Sequence, residues 1–206
     1  AFIMFPDKSL QIGKAMQVLA GKAGIYGMIG GQVVDVTSVG IPVSKDKLDF
    51  IYELKTSALI ECAMMIGAIL AGAGDSDVKK VELIAKNVGL AFQIQDDILD
   101  VTSTIEVLGK PVLSDEKNEK TTYVTLVGLE QAKKYVEQIS NEAIELLDEA
   151  IAETQDSSFQ ERKTEIYLVW ADGHASYGAY EDALNILGNG YDDTNDVVLN
   201  EAIVST

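Results

Sequence analysis

Residues 78–102 read VKKVELIAKNVGLAFQIQDDILDVT. Apolar positions spaced three and four apart begin at Val78 and continue to about Thr102, a run far longer than a strand and the pattern of an amphipathic helix. Near its end Asp96 and Asp100 are four apart and share one helix face, with Asp97 about 100° round the axis. Three carboxylates within one turn repel one another unless a cation neutralises them. Mg²⁺ suits such a group, because it prefers oxygen ligands and is commonly shared with substrate phosphates. The alternative is a solvated acidic helix end. The apolar neighbours Phe92, Ile94, Ile98 and Leu99 argue against it, since a solvated face carries polar residues on both sides.

The flanking chain has the same period. Asp7 is placed to cap a helix that starts after Pro6 and runs through Leu10, Met16, Leu19 and Ala23 to about Val39. Gly24, Gly27, Gly30 and Gly31 crowd this helix and call for either a break or the close approach of another helix or a ligand. Gly40 and Pro42 punctuate the chain. Ser44 is then a cap for a helix that presents Leu48, Ile51, Leu54, Ala58, Cys62 and Met65 and ends near Ala71. Residues 104–120 lack an apolar period and form a long polar loop, a class that is often functional. The helical pattern returns from Thr122 to about Glu153, and a short apolar element, Ile166–Trp170, follows. With three prolines in the whole chain and no alternating segments, the expected fold class is all-α.

Composition sets further limits. The 206 residues carry a formal net charge of −17, and so acidic a surface repels nucleic-acid backbones and anionic lipid. The longest uninterrupted apolar run, 62–74, is shorter than the roughly 20 residues of a membrane-spanning helix. Cys62 is the only cysteine, which excludes an intrachain disulfide and fits a reducing, cytoplasmic setting. The sequence begins at Ala1, without an initiator Met or the pattern of a signal peptide.

Four blocks carry a resemblance: GMIGGQVVD at 27–35, LKTSALI at 54–60, GLAFQIQDDILD at 89–100 and LGKPVLSDEKNEKTTY at 108–123. In this order and spacing they are similar to the trans-isoprenyl diphosphate synthases of the polyprenyl synthetase family, the farnesyl and geranylgeranyl diphosphate synthases. The resemblance covers about residues 1–155 and corresponds to the family's C-terminal half. It implies an isoprenoid synthase helical bundle, shortened on its N-terminal side, and a Mg²⁺-dependent prenyl transfer from an allylic diphosphate to isopentenyl diphosphate. Asp96, Asp97 and Asp100 would be the family's second aspartate-rich motif, holding Mg²⁺. Lys55 and Thr56 would contact the allylic diphosphate, and Gln32, Asp35, Phe92 and Gln93 would line the site. Lys110 and Lys120 would close over the leaving diphosphate. Ionising an allylic carbon–oxygen bond puts negative charge on that leaving group, so cations around it act mainly in the transition state.

The family's first aspartate-rich motif has no counterpart in the chain, and Leu113 stands where the family has glycine. Prenyl transfer remains the expected activity, in a homodimer or a heteromer with a complete synthase, and the alternative is a non-catalytic or partner-dependent subunit or an inactive fragment. The domain division expected is 1–170 for the helical body and 171–206 for an acidic appendage, which contains no Lys or Arg. That appendage holds a second DDxxD, 192–196, which is either a contribution to the missing metal face or an acidic turn next to Gly188, Asn189 and Gly190. The turn is the preferred reading. His174 is assigned no role. Trp170 and the nearby Tyr167, Tyr177 and Tyr180 form either a small aromatic contact with the body or an exposed patch.

Overall fold

The computed structural model describes residues 4–103, 120–154, 157–176, 178 and 180–205, and every regular element in them is helical. A 3₁₀ turn, Pro6–Lys8, leads into α1 (Ser9–Ala23). Asp7 lies inside that turn and makes no cap; the N-cap of α1 is Lys8, without a side-chain hydrogen bond. The single helix expected as far as Val39 is divided. α1 stops at Ala23 and α2 (Met28–Thr37) begins after a connection that holds two of the crowded glycines, so the break is real.

Ser44 does cap α3 (Lys45–Tyr52), its hydroxyl accepting from the Lys47 N–H. α3 passes through a π turn, Glu53–Ser57, directly into α4 (Ala58–Ala71). α5 spans Asp75–Thr102 and begins at Asp75 rather than Val78. The helix expected from Thr122 is two helices, α6 (Tyr123–Val127) and α7 (Leu129–Thr154), separated at Gly128, whose φ of 84° ends the first. Thr122 caps α6 through reciprocal hydrogen bonds with Thr125.

α5 is the central helix, packed between α4 and α7, while α1 lies on α4 and α2 on the π turn. Leu48, Ile51, Tyr52, Ile94, Ile98 and Tyr123 form the middle of the core. The continuous segment Lys45–Ala71 is long and apolar enough to cross a membrane by length and composition, a test that core helices of soluble proteins also pass. It exceeds the 62–74 run because α3 and the π turn continue the helix on its N-terminal side. Within it the Glu61 carboxylate is buried and paired with Lys22.

The C-terminal region is more helical than its sequence pattern indicates. α8 (Ser157–Ser176) extends well beyond Ile166–Trp170 and runs without interruption across 170–171. Its period is concealed because buried polar residues occupy apolar positions. Lys163, 2% exposed, pairs with Asp148 of α7 at 2.5 Å and with Asp193 at 2.6 Å. α9 (Tyr180–Thr194) and α10 (Val197–Ser205) pack on α8 around Tyr167, Ala183, Leu187 and Leu199, with Ile144 of α7 completing the cluster. Gly188 and Gly190, expected in a turn, lie within α9, where Gly190 sits against the Tyr167 ring. The turn falls instead at Asn195, which has φ 56°.

The second DDxxD is engaged in this packing. Tyr167 donates to Asp193 at 2.7 Å, and Thr164 donates to Asp196 at 2.9 Å. Asp196 also accepts from the Val198 N–H at the start of α10. Trp170 packs between the central core and the C-terminal cluster, so it contacts the body.

Candidate functional site

The π turn is the centre of the site, and two glycines allow the neighbouring helices to reach it. A Cβ on Gly31 of α2 would fall 2.4 Å from the Lys55 nitrogen, and one on Gly89 of α5 would fall 2.6 Å from the Ser57 Cα. Backbone therefore packs directly on backbone at both contacts, which no larger residue permits. One helical turn beyond each glycine is a side chain that meets the π turn. Asp35, four after Gly31, accepts from Lys55 at 2.7 Å. Gln93, four after Gly89, accepts from the Thr56 hydroxyl at 2.7 Å. A π turn adds a residue to a helical turn and often marks a functional position. Here it puts Lys55 and Thr56 on consecutive positions facing two different helices.

Lys120, in the chain entering α6, closes the group by donating to the same Asp35 oxygen, Oδ2, at 3.4 Å. Burial of Asp35 opposes its charge, but the hydrogen bond and charge of Lys55, followed by those of Lys120, outweigh it and hold the carboxyl below its ordinary range. Asp35, Lys55, Gln93, Asp96, Asp97 and Lys120 line one polar cavity of about 220 Å³. Two ammonium groups converge on one carboxylate oxygen within a lining that also holds Asp96 and Asp97, so the cavity joins cations that can meet a polyanion to carboxylates that can meet a metal cation.

The three aspartates of α5 have different environments. Asp96 is half-buried and lines the polar cavity. Asp97, 2% exposed, accepts through Oδ2 from the Tyr52 hydroxyl at 2.6 Å and from the Tyr123 N–H at 2.8 Å. Asp100 is equally buried and lines neither this cavity nor the second one described below. Among the described residues no group of three or more His, Cys, Asp or Glu side chains is arranged to hold a metal ion. The triad read from sequence thus brings two carboxylates, not three, to the cavity. Two suffice for the donor chemistry of Mg²⁺, which is commonly bound by one or two carboxylates with water and substrate phosphates completing its shell.

Phe92 is half-exposed and lines a second, mostly apolar cavity of about 260 Å³ with Met64, Leu99, Val136 and Trp170. Asp96 lies on the wall of both cavities. Gln32 lines neither, and Lys110 lies outside the described residues. Tyr52 and Tyr123 belong to the site without standing out in the sequence. Their one signal was the apolar spacing of Tyr52 on α3 and the place of Tyr123 at the end of the fourth motif block.

The all-α chain thus brings lysines from the π turn and the chain entering α6, with carboxylates of α2 and α5, to a polar cavity beside a mostly apolar one. It belongs to the polyprenyl synthetase family, whose model matches residues 8–161. A geranylgeranyl pyrophosphate synthase of Capsicum annuum is 39% identical over 169 residues, covering 82% of this chain and 42% of that relative. A heterodimeric geranylgeranyl pyrophosphate synthase large subunit of Arabidopsis thaliana is 37% identical over 137 residues, 65% of this chain and 37% of the relative. Among solved structures, a Helicobacter pylori geranyltransferase complexed with magnesium and isoprenyl diphosphate matches at a TM-score of 0.63 and 28% identity, covering 89% of this chain and 53% of that one. The chain spans less than half the length of these curated relatives.

Proposed function

We propose that this chain supplies the C-terminal half-site of a prenyl transferase that condenses isopentenyl diphosphate with an allylic diphosphate. The observation that carries the reading is the convergence of Lys55 and Lys120 on one oxygen in a cavity walled by Asp96 and Asp97. In this reading Lys55, Thr56 and Lys120 bind the diphosphate, Gln93 orients the Thr56 hydroxyl, and Asp96 and Asp97 hold Mg²⁺. The family resemblance assigns Lys110, outside the described residues, and Gln32 of α2 to the same diphosphate site. Bound Mg²⁺ supplies electrostatic stabilisation of charge on the departing diphosphate. The apolar cavity beside Asp96, with Phe92 at its rim, receives hydrocarbon and keeps water from the reacting carbon. Asp100, the third carboxylate that the family resemblance assigns to Mg²⁺, is buried and lines neither cavity.

The chain's compartment and assembly belong to the same proposal. Several plant relatives are named as chloroplastic, and the single buried thiol of Cys62 fits a reducing compartment, the cytoplasm included. We read residues 171–206 as a packing extension of α8 with no part in the chemistry, and the protein as neither membrane-spanning nor nucleic-acid-binding.

The test is a prenyl-transfer assay on the purified chain with isopentenyl diphosphate, an allylic diphosphate and Mg²⁺, beside Asp96→Ala. Product that disappears in the variant supports activity within this chain or its homo-oligomer. A second reading, a subunit that works only with a complete synthase, is favoured by the exposed Leu10, Met16, Ile29, Val33 and Val36 on α1 and α2. It is favoured too by the naming of one relative as a heterodimer subunit. Titration with a complete synthase separates the two, because only the second predicts turnover that requires the partner.

A further inference from the structure

Asp35 offers both lysines the same atom. Lys55 lies 2.7 Å and Lys120 3.4 Å from Oδ2, and the carboxylate is 14% exposed while each lysine is about one-third exposed. Its position is fixed by the close packing of α2 on the π turn at Gly31, so it holds the lysines without the translational entropy that a free anion must give up. Any ligand that engages both lysines has to displace this built-in competitor. An anion with one phosphorus offers the pair what Asp35 already offers, a single centre on which both ammonium groups converge. A diphosphate offers two linked phosphoryl groups, one for each lysine. The carboxylates of Asp96 and Asp97 on the same cavity add repulsion that a weakly held anion does not overcome.

We propose that Asp35 is a specificity-determining residue, an internal anion that holds Lys55 and Lys120 in the empty site and yields them to a diphosphate but not to a monophosphate. This rests on the reading of the polar cavity as a diphosphate site. It assigns Asp35 a role beyond lining that site: the residue sets the threshold that a ligand must exceed.

The test is calorimetric titration of the full chain, without Mg²⁺, using inorganic pyrophosphate and inorganic phosphate as probes. Wild type is expected to prefer pyrophosphate strongly. In Asp35→Asn the affinity for phosphate should rise by about tenfold, the scale of one charge-assisted hydrogen bond, and the preference for pyrophosphate should narrow correspondingly. An unchanged preference, or weaker binding of both probes, overturns the proposal and leaves the diphosphate site standing. Undiminished pyrophosphate binding in both Lys55→Met and Lys120→Met overturns the site reading and the proposal together. If Asp35→Asn does not fold by circular dichroism, the wild-type protein still decides. The ¹³C resonance of the Asp35 carboxyl should move on saturation with pyrophosphate as its lysines leave, and a resonance that stays fixed while that of the Lys55 side chain moves overturns the proposal.

Discussion

Replacing Gly31 by alanine puts a methyl group 2.4 Å from the Lys55 nitrogen and 2.8 Å from the Leu54 carbonyl carbon and Cβ. Carbon atoms in favourable contact are about 3.5–4.0 Å apart, so α2 must retreat from the π turn by about 1 Å. The obstacle is backbone on both sides, and no flexible side chain is available to swing away. Overpacking of this kind costs about 1–3 kcal/mol, against which an interior Gly→Ala change in a helix returns up to about 1 kcal/mol. The net loss expected is about 1–2 kcal/mol, about 2–8 °C in Tm for a chain of this length. Gly13→Ala in α1 is the control, because its Cβ would meet nothing within 4 Å; there only the helix gain operates and Tm should rise. Thermal melts followed by far-ultraviolet circular dichroism measure both. Since Asp35 is one turn beyond Gly31, the same retreat should change pyrophosphate affinity in Gly31→Ala and leave it unchanged in Gly13→Ala. A Gly31→Ala protein as stable as wild type, with unaltered affinity, would falsify the account of α2 seated on the π turn.

Other consequences are more local. Asp97→Ala removes an acceptor of both the Tyr52 hydroxyl and the Tyr123 N–H; at about 1.5–3 kcal/mol for each hydrogen bond to a charged group, denaturant melts should show a loss of several kcal/mol, and a loss below about 1 kcal/mol would contradict the geometry. Lys22→Met leaves the buried Glu61 carboxylate without the ammonium that it shares with Glu82, a change that costs about 3–5 kcal/mol when a buried partner is removed. Burial works against the charge of Lys22, but its hydrogen bonds to Glu61 and Glu82 prevail and raise its pKa above 10.5. Its contribution is therefore complete below that pH and is lost as pH rises through the folded value, a dependence that Lys22→Met should abolish in alkaline melts. Asp193 has the opposite sign. Burial again opposes the charge, and Lys163 and Tyr167 hold its pKa below 3.8, so its contribution is complete above that value and disappears as pH falls through the folded pKa. Hydrogen exchange should show α8–α10 of the wild type loosening in that acid window, and Asp193→Asn loosened already at neutral pH.

The fold was largely readable because one helix, α5, combines a long apolar period with a motif that has neighbours in family order. The places where reading failed share a cause: the signal for a helix is apolar spacing, and it disappears where buried polar side chains satisfy one another. Lys163, Thr164 and Tyr167 break the period of α8, yet each meets a carboxylate from α7, α9 or the turn before α10. Gly190 reads as a turn former because its packing partner, Tyr167, is distant in sequence. The site shows a parallel loss. Lys55, Thr56, Gln93, Asp35 and Lys120 were named together from motif blocks, but nothing in ELKTS announces a π turn, and the register it imposes decides which neighbour each side chain meets. Of the aspartate triad, the spacing alone was legible; Asp97 is withdrawn from water by Tyr52 and Tyr123, contacts that depend on how α3, α5 and α6 come together.

The π turn also explains why three short motifs so far apart in the chain have to occur together. A regular α-helical turn at residues 53–57 would rotate Lys55 and Thr56 relative to α3 and α4, so one of them would lose its partner on α2 or α5. Gly31 and Gly89 permit the two flanking helices to touch the inserted turn, and Asp35 and Gln93, each four residues later, meet the side chains that the turn presents. GMIGGQVVD, LKTSALI and GLAFQIQDDILD are therefore three faces of a single contact. A change in any one of the glycines should disturb the polar cavity as surely as a change in the lysine itself, because the lysine's position is set by how closely the backbones approach.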